Sequence, residues 1–410
     1  MISKKLYGLA YAFANLKLWE KLHDSQVFAF TLKNGQRAYC SVLGYNKEVY
    51  ALNVYVGEDG WDSLLDLYLK SARELSLMEH NELLASQDCI QLCFDEEMFM
   101  EQKEVAEAKA YARENNATLP LRRCLPHFLR FRKYYNVSAL KAGEDKKILE
   151  EVLEYIIAFE KQKGFESLEL RNFDDGFKAK LLEKSGSAFS EKEIDLAQEV
   201  KEVPDYVFDE SLEEIKRLPR KGRWCVEVTL MPKAVKIKGG DERYAYLMIV
   251  IIDDGYTMLV PPSFDLGEMA YSFAERMAGG ENAPEEIYVR NQRTESQLKD
   301  LCAKTGIKLI RKEDIPFVDG FYNDFVMMDN DREEEEYEPP YQEETGTAGP
   351  GVSIGIDRNV DKMMGGIIDM VNNLNMDELR KLPPDMLKSL KGMVGLHVLP
   401  GELEMKLANL

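Results

Sequence analysis

Apolar residues recur at helical spacing from the start of the chain. Leu6, Leu9, Phe13 and Leu16 lie three or four positions apart, which predicts an amphipathic helix over about 3–22. The pattern then shifts toward alternation in VFAFTLK (27–33), RAYCSVLG (37–44) and EVYALNVYVG (48–57), three strands with Asn34-Gly35 as the hairpin turn between the first two. Trp61, Leu64, Leu65, Tyr68, Ala72 and Leu75 form a helical stripe, and DCIQLCF (88–94) reads as a strand. EEMFMEQKEVAEAKAYAREN is a charged helix ended by Asn115-Asn116 and Pro120. The basic, aromatic run LRRCLPHFLRFRKYYNV (121–137) precedes a helix over 144–164 that Gly164 closes.

In the second half, WCVEVTLMP (224–232), YAYLMIVIID (244–253) and GYTMLVPP (255–262) are strands, with turns at Gly239-Gly240 and Asp254-Gly255. A helix (about 265–279), a strand (286–290), a helix (293–305), a strand (307–311) and a last segment DGFYNDFVMM (319–328) follow. An antiparallel meander followed by strand-helix-strand-helix-strand implies a mixed sheet with right-handed crossovers. FESLELRNFDDGFKAKLLEKSG (165–186) can be laid on PEEIYVRNQRTESQLKDLCAKTG (284–306) with one gap, each reading as strand, Arg-Asn, helix and Lys-Ser/Thr-Gly. Two related units are therefore expected.

The acidic run DNDREEEEYEPPYQEE (329–344) and TGTAGPG (345–351) read as a solvated tether. Beyond it, Val360, Met363, Met364, Ile367, Ile368, Val371 and Leu374 make an apolar stripe, and two shorter helices follow. The expected organisation is a domain over 1–199, a second over 200–328, an acidic flexible linker over 329–356 and a small helical module over 357–410. The module would dock on the body or bind a protein partner.

At 410 residues and 45% hydrophobic composition the chain has enough apolar material for more than one core. Its net charge of -20 repels phosphate backbones, so nucleic acid is disfavoured as a partner. The longest apolar run, YAYLMIVII, is too short for a membrane span. Six scattered Cys without a C-x-x-C pair argue against a structural zinc site and fit a reducing cytoplasm. No P-loop, G-x-S-x-G, H-E-x-x-H or G-x-G-x-x-G pattern occurs, and no cofactor is implied.

The element order over 223–328 resembles the RNase H-like superfamily, and integrase cores in particular. That resemblance implies two divalent metals held by carboxylates on the first strand, at the end of the fourth strand and on a late helix. The matching positions here hold Glu227, then Arg290 followed by Asn291, then Asn323. One acid of three is kept, and a cation at the second position opposes metal binding. Glu227 and Asp253 are the weak candidates for a residual metal site. Arg290 and its counterpart Arg171 suit either an ion pair at a strand end or an anionic ligand or partner. In the 121–137 stretch, Phe128, Arg130, Arg132 and Tyr134 would share one face of a strand. Arg130 and Arg132 would then meet the chain's own acids, an acidic peptide or nucleic acid.

LYGLAYAFANLKLWEKLHDSQVFAFTLKNGQRAYCSVLGYNKEVYALNVYVGEDG, with DCIQLCF and LPHFLRFRKYY, resembles the start of a family of uncharacterised bacterial proteins. The likeness covers roughly the first 330 residues and implies two successive domains of unknown function in a cytoplasmic protein. Some members add a Cys-rich zinc-binding tail, but residues 329–410 contain no Cys, so none is implied here. The expectation is an α/β protein of mixed sheets, with two related units in RNase H-like order and a helical tail, that binds a protein partner rather than catalysing a reaction. The rival expectation is a divergent metal-dependent nuclease or phosphodiesterase using Glu227 and Asp253.

Overall fold

The computed structural model describes residues 2–330, apart from 72–73, 173–175, 177, 187, 196–204, 210 and 253–256. The linker and helical module expected over 329–410 lie, but for their first two residues, outside the described residues. The described chain forms two compact units. The first holds residues up to Leu75, the stretch from Glu82 to about residue 195, and Lys236–Arg243. The second holds Ser76–Asn81, the stretch from about residue 205 to Val235, and the chain from Tyr244.

The first unit opens with α1 (Lys4–Leu16). Its N-cap Ser3 accepts a hydrogen bond from the Leu6 N–H, and the helix stops at Lys17, which turns left-handed at φ 51°. The helix expected to run to residue 22 therefore breaks early, and Leu18 and Trp19 enter the core from a 3-10 turn. β1 (Phe28–Thr31) and β2 (Arg37–Leu43) form the expected hairpin, with Gly35 at φ 84° supplying the left-handed turn position. There follow β3 (Ala51–Val56), α2 (Gly57–Ser71), α3 (Leu77–Ala85, whose residues up to Asn81 belong to the second unit), β4 (Cys89–Glu96), α4 (Gln102–Asn115), β5 (Cys124–Phe131), β6 (Ser138–Ala139), α5 (Gly143–Gln162), β7 (Lys178–Ser185) and β8 (Ala188–Asp195).

These strands make one eight-stranded sheet in the order β6-β5-β4-β3-β2-β1-β7-β8. Neighbours are antiparallel except β1 and β7, which run parallel. One face packs Phe28, Phe30, Leu52, Val54 and Leu92 against α1 and α5, where Leu6, Phe13, Leu149, Val152 and Ile156 are fully buried. The other face packs Ala29, Tyr39, Tyr55 and Leu181 against Leu64 and Leu65 of α2. Each such large apolar side chain contributes about 1.5–3 kcal/mol on burial.

The repeat expected at 165–186 is not what forms. Residues 168–172 belong to no strand, and KAKLLEKS is β7 rather than a helix. In that segment Ala179 and Leu181 alternate with lysines, so strand pairing to β1 and β8 buries them while the lysines reach outward. A stretch this short and charged satisfies both periods, and pairing decided between them.

In the second unit α6 (Leu212–Arg217) precedes β9 (Arg223–Leu230). A short ribbon of β10 (Val235–Lys236) and β11 (Glu242–Arg243), whose residues from Lys236 on belong to the first unit, precedes β12 (Tyr246–Ile252), β13 (Thr257–Ser263), α7 (Leu266–Ala278), β14 (Glu286–Val289), α8 (Gln292–Thr305), β15 (Lys308–Arg311) and α9 (Pro316–Asn330). The sheet order is β13-β12-β9-β14-β15. β9, β12 and β13 form the antiparallel meander, and β14 and β15 lie parallel to β9 through the helical crossovers α7 and α8. Trp224, Val226, Val228, Met248 and Val250 pack against α7 and α8. Leu247, Ile249 and Ile251 pack on the opposite face against Val318, Tyr322 and Phe325 of α9.

Candidate functional site

Strand alternation places Glu227 on the α9 face of β9, beside Ile249 in the pairing register. The residue is 0% exposed. A carboxylate in such a place must be fully satisfied, because its desolvation is otherwise prohibitive. The partners come from the end of β14. The Arg290 backbone N–H donates to Glu227 Oε2 at 3.2 Å, and the Asn291 Nδ2 donates to Glu227 Oε1. Thr294 Oγ1 lies 3.3 Å from the same Oε1 and accepts the Val228 N–H at 2.8 Å.

Asn291 does two jobs with one side chain. Its Oδ1 accepts from the Thr294 N–H at 2.7 Å, so it is the N-cap of α8, while its Nδ2 reaches Glu227 and the Val228 carbonyl. The Arg-Asn pair thus has a structural reason at this strand end. The cap turns the chain into α8 and locks the helix start to β9.

The Arg290 guanidinium lies along α9. Nη1 is 3.1 and 3.0 Å from the two carboxylate oxygens of Asp319, and Nη2 is 3.1 Å from Oδ1. Nε is 3.9 Å from Glu227 Oε2 and 4.0 Å from Glu79 Oε1, a residue of the second unit's Ser76–Asn81 segment. Burial opposes the charge, but Asp319, Glu227 and Glu79 outweigh it and hold the guanidinium pKa above its ordinary value. The carboxylate that meets Arg290 is Asp319, at the start of α9, one turn before Asn323 on the same helix. Asp253 lies outside the described residues.

These side chains do not fit a divalent ion. Arg290 fills the space between Glu227 and Asp319 with a fixed positive charge, and Glu227 already accepts from three neighbours.

Arg171 does not reproduce this arrangement. It is exposed, at the end of no strand, and the neighbouring Asn172 accepts from Ser25 Oγ at 2.9 Å. Arg130, on β5, pairs with Asp88 at 2.7 Å and Asp145 at 3.3 Å. Arg132 lies past the end of β5, pairs with Asp241 at 2.9 Å and stacks over Tyr135 at 4.3 Å. The expected common face of residues 128–134 ends with the strand, since Tyr134 turns left-handed at φ 66°. Both arginines are thus engaged with acids of this chain.

Sequence spacing missed a second constellation. Cys93 and Asp95 are alternate residues of β4, and Cys93 pairs directly with His127 of β5. Cys93 Sγ is 3.0 Å from Asp95 Oδ2, and His127 Nδ1 is 2.7 Å from the same oxygen. The other ring nitrogen, Nε2, is 3.4 Å from Glu104 Oε2 on α4. The sulfur, nitrogen and carboxylate oxygen all lie within 4.8 Å of one another. Burial, reinforced by Asp95, pushes the Cys93 thiol pKa up. Burial also pushes Asp95 up, but hydrogen bonds from His127 and Cys93 outweigh it and leave its pKa below the usual range. The only hint in the sequence was Cys-x-Asp within a strand. The β4–β5 register that delivers His127 cannot be read from either segment alone.

Two family models match the chain. Residues 4–179 match a domain of unknown function (DUF7309), and residues 211–326 match a second domain of unknown function (DUF6930). The chain is thus a two-domain arrangement of these families, in that order. No curated protein and no solved structure matches it. No helix among the described residues is long and apolar enough to cross a membrane.

Proposed function

We propose that the chain is a non-catalytic binding protein whose second domain is an RNase H-like scaffold with a guanidinium in place of divalent metals. The order β13-β12-β9-β14-β15, with two antiparallel and two parallel pairings, supports the likeness. The single observation carrying the reading is Arg290, bidentate on Asp319 and beside buried Glu227. A permanent cation there neutralises the carboxylates that phosphoryl-transfer enzymes of this fold use to hold Mg²⁺. The scaffold is kept and the chemistry is not.

The charge of -20 and the engagement of Arg130 and Arg132 with acids favour a protein partner over nucleic acid. The acidic linker over 329–356 and the apolar stripe of the 357–410 module are the segments proposed to recruit it. The six free cysteines support a reducing, cytoplasmic setting. The test is Mg²⁺-dependent cleavage of single- and double-stranded DNA and RNA, with a calorimetric Mg²⁺ titration of the full chain. Neither cleavage nor stoichiometric Mg²⁺ binding is expected. Turnover abolished by Glu227→Gln would instead establish the nuclease reading.

A further inference from the structure

We propose that Cys93, Asp95 and His127 in the first domain form a transition-metal site, with Zn²⁺ the ion that the donor set suits best. The proposal is independent of the second domain and of the non-catalytic reading given above.

The argument begins with histidine chemistry. A neutral imidazole carries one N–H, yet both nitrogens of His127 face carboxylates, Asp95 at 2.7 Å and Glu104 at 3.4 Å. An Nδ1–H donated to Asp95 Oδ2 satisfies the shorter contact; when the single N–H moves to Nε2 and is directed to Glu104, the Nδ1 lone pair is freed as a ligand atom facing Asp95 Oδ2. Either a proton or a metal ion can bridge two electron-rich atoms at that distance. The thiol of Cys93 approaches the same oxygen from the adjacent strand. Sulfur, imidazole nitrogen and carboxylate oxygen converging on one point are a zinc-type donor set.

Glu104 has the second role such sites need. A carboxylate accepting the distal N–H fixes the histidine tautomer and ring orientation and raises the basicity of the ligating nitrogen. The scaffold is rigid as well. All three donors sit on paired strands inside an eight-stranded sheet, and Cys93 and His127 are buried, while the Asp95 side chain is 27% exposed and leaves a path for the ion. Among the described residues the cluster offers three donors, so water would complete a tetrahedron. Bonds of about 2.0–2.3 Å would set the donor atoms about 3.3–3.5 Å apart, so the two contacts to Asp95, now 3.0 and 2.7 Å, would each open by about 0.5 Å. Binding releases the thiol proton, and the resulting thiolate and carboxylate balance the ion's two charges.

The test uses the full chain, stripped with chelator and titrated with Zn²⁺ and then with Co²⁺ as a spectroscopic probe. One equivalent of Zn²⁺ and a sulfur-to-cobalt charge-transfer band are expected. Cys93→Ser should remove the band, and His127→Ala should weaken binding by at least 100-fold. Glu104→Gln should cost about 10–100-fold in affinity without removing the band. Cys124→Ser, whose thiol donates to the Arg122 carbonyl instead, should change neither. Wild-type protein that shows no charge-transfer band would overturn the proposal without reference to any variant. So would Zn²⁺ binding that survives Cys93→Ser and His127→Ala in folded protein, since the ion would then sit elsewhere. Retention of fold in each variant is checked by circular dichroism.

Discussion

Arg290 meets Asp319 through both of its terminal nitrogens, at 3.0–3.1 Å, so strand β14 and helix α9 are joined by a two-pronged ion pair. Buried Glu227 stands behind it, 3.9 Å from Nε. Removing the guanidinium strands a buried anion. Arg290→Met should therefore destabilise the second domain by about 3–5 kcal/mol, the usual range for breaking a buried pair from one side. Hydrogen exchange of β9 and β14 peptides measures this locally. Adding Glu227→Gln and Asp319→Asn in the same chain should recover most of the loss.

The same geometry makes a gain-of-binding prediction. Arg290→Asp would place a third carboxylate between Glu227 and Asp319, and their mutual repulsion should lower stability sharply. Millimolar Mg²⁺ should restore much of it, by mass action on the folded state. The readout is the thermal midpoint with and without Mg²⁺, for which wild type should show no shift. Mg²⁺ is chosen because it prefers oxygen ligands and has little affinity for a Cys-His set.

Asn291→Ala should destabilise by about 2 kcal/mol, since it deletes the cap of α8 and a hydrogen bond to Glu227 together. Asn291→Asp keeps the cap but sets a second carboxylate against Glu227. It should be worse than Ala near neutral pH and recover as the pH falls, which a denaturation midpoint series would show.

Asp300 supplies a pH signature. Burial pushes its carboxyl up, but Lys304 and the Phe208 N–H outweigh that and leave its pKa below the ordinary value. A carboxyl depressed in the folded state contributes stability above its unfolded pKa of about 3.9, and that contribution is lost as pH falls through the folded value. Asp300→Asn should flatten the acid limb of the stability profile below about pH 4. Its effect should be largest near neutrality.

Arg130→Ala should leave Asp88 and Asp145 unpaired and lower the stability of the first domain by about 1–2 kcal/mol. Neither Arg130→Ala nor Arg132→Ala should alter retention on a nucleic-acid column, because wild type is expected to flow through at physiological salt.

Periodicity made the meander, the crossovers and the Asn-Gly hairpin readable. Long apolar stripes and turn residues are local signals. It misled at 178–185, where four charged side chains among two leucines and an alanine satisfy strand and helix alike. The pairing to β1, more than a hundred residues earlier, decided the outcome. Arg290 was legible as a strand-end ion pair, but Asp319 was not legible as its partner, because the start of α9 fixes which turn faces the sheet. Cys93 and His127 meet through strand register alone, a property no single segment carries.

The parallel pairing of β1 with β7 has a consequence during synthesis. Phe28 of β1 finds its neighbour only at Lys180, about 150 residues later. At ribosomal speeds of roughly 5–20 residues per second, that edge of β1 waits about 8–30 seconds for its partner. Until then a strand bearing Phe28 and Phe30 presents an open row of backbone donors and acceptors, the template on which chains aggregate. Any version of this domain cut at residue 179, where the family match stops, would keep that edge open permanently.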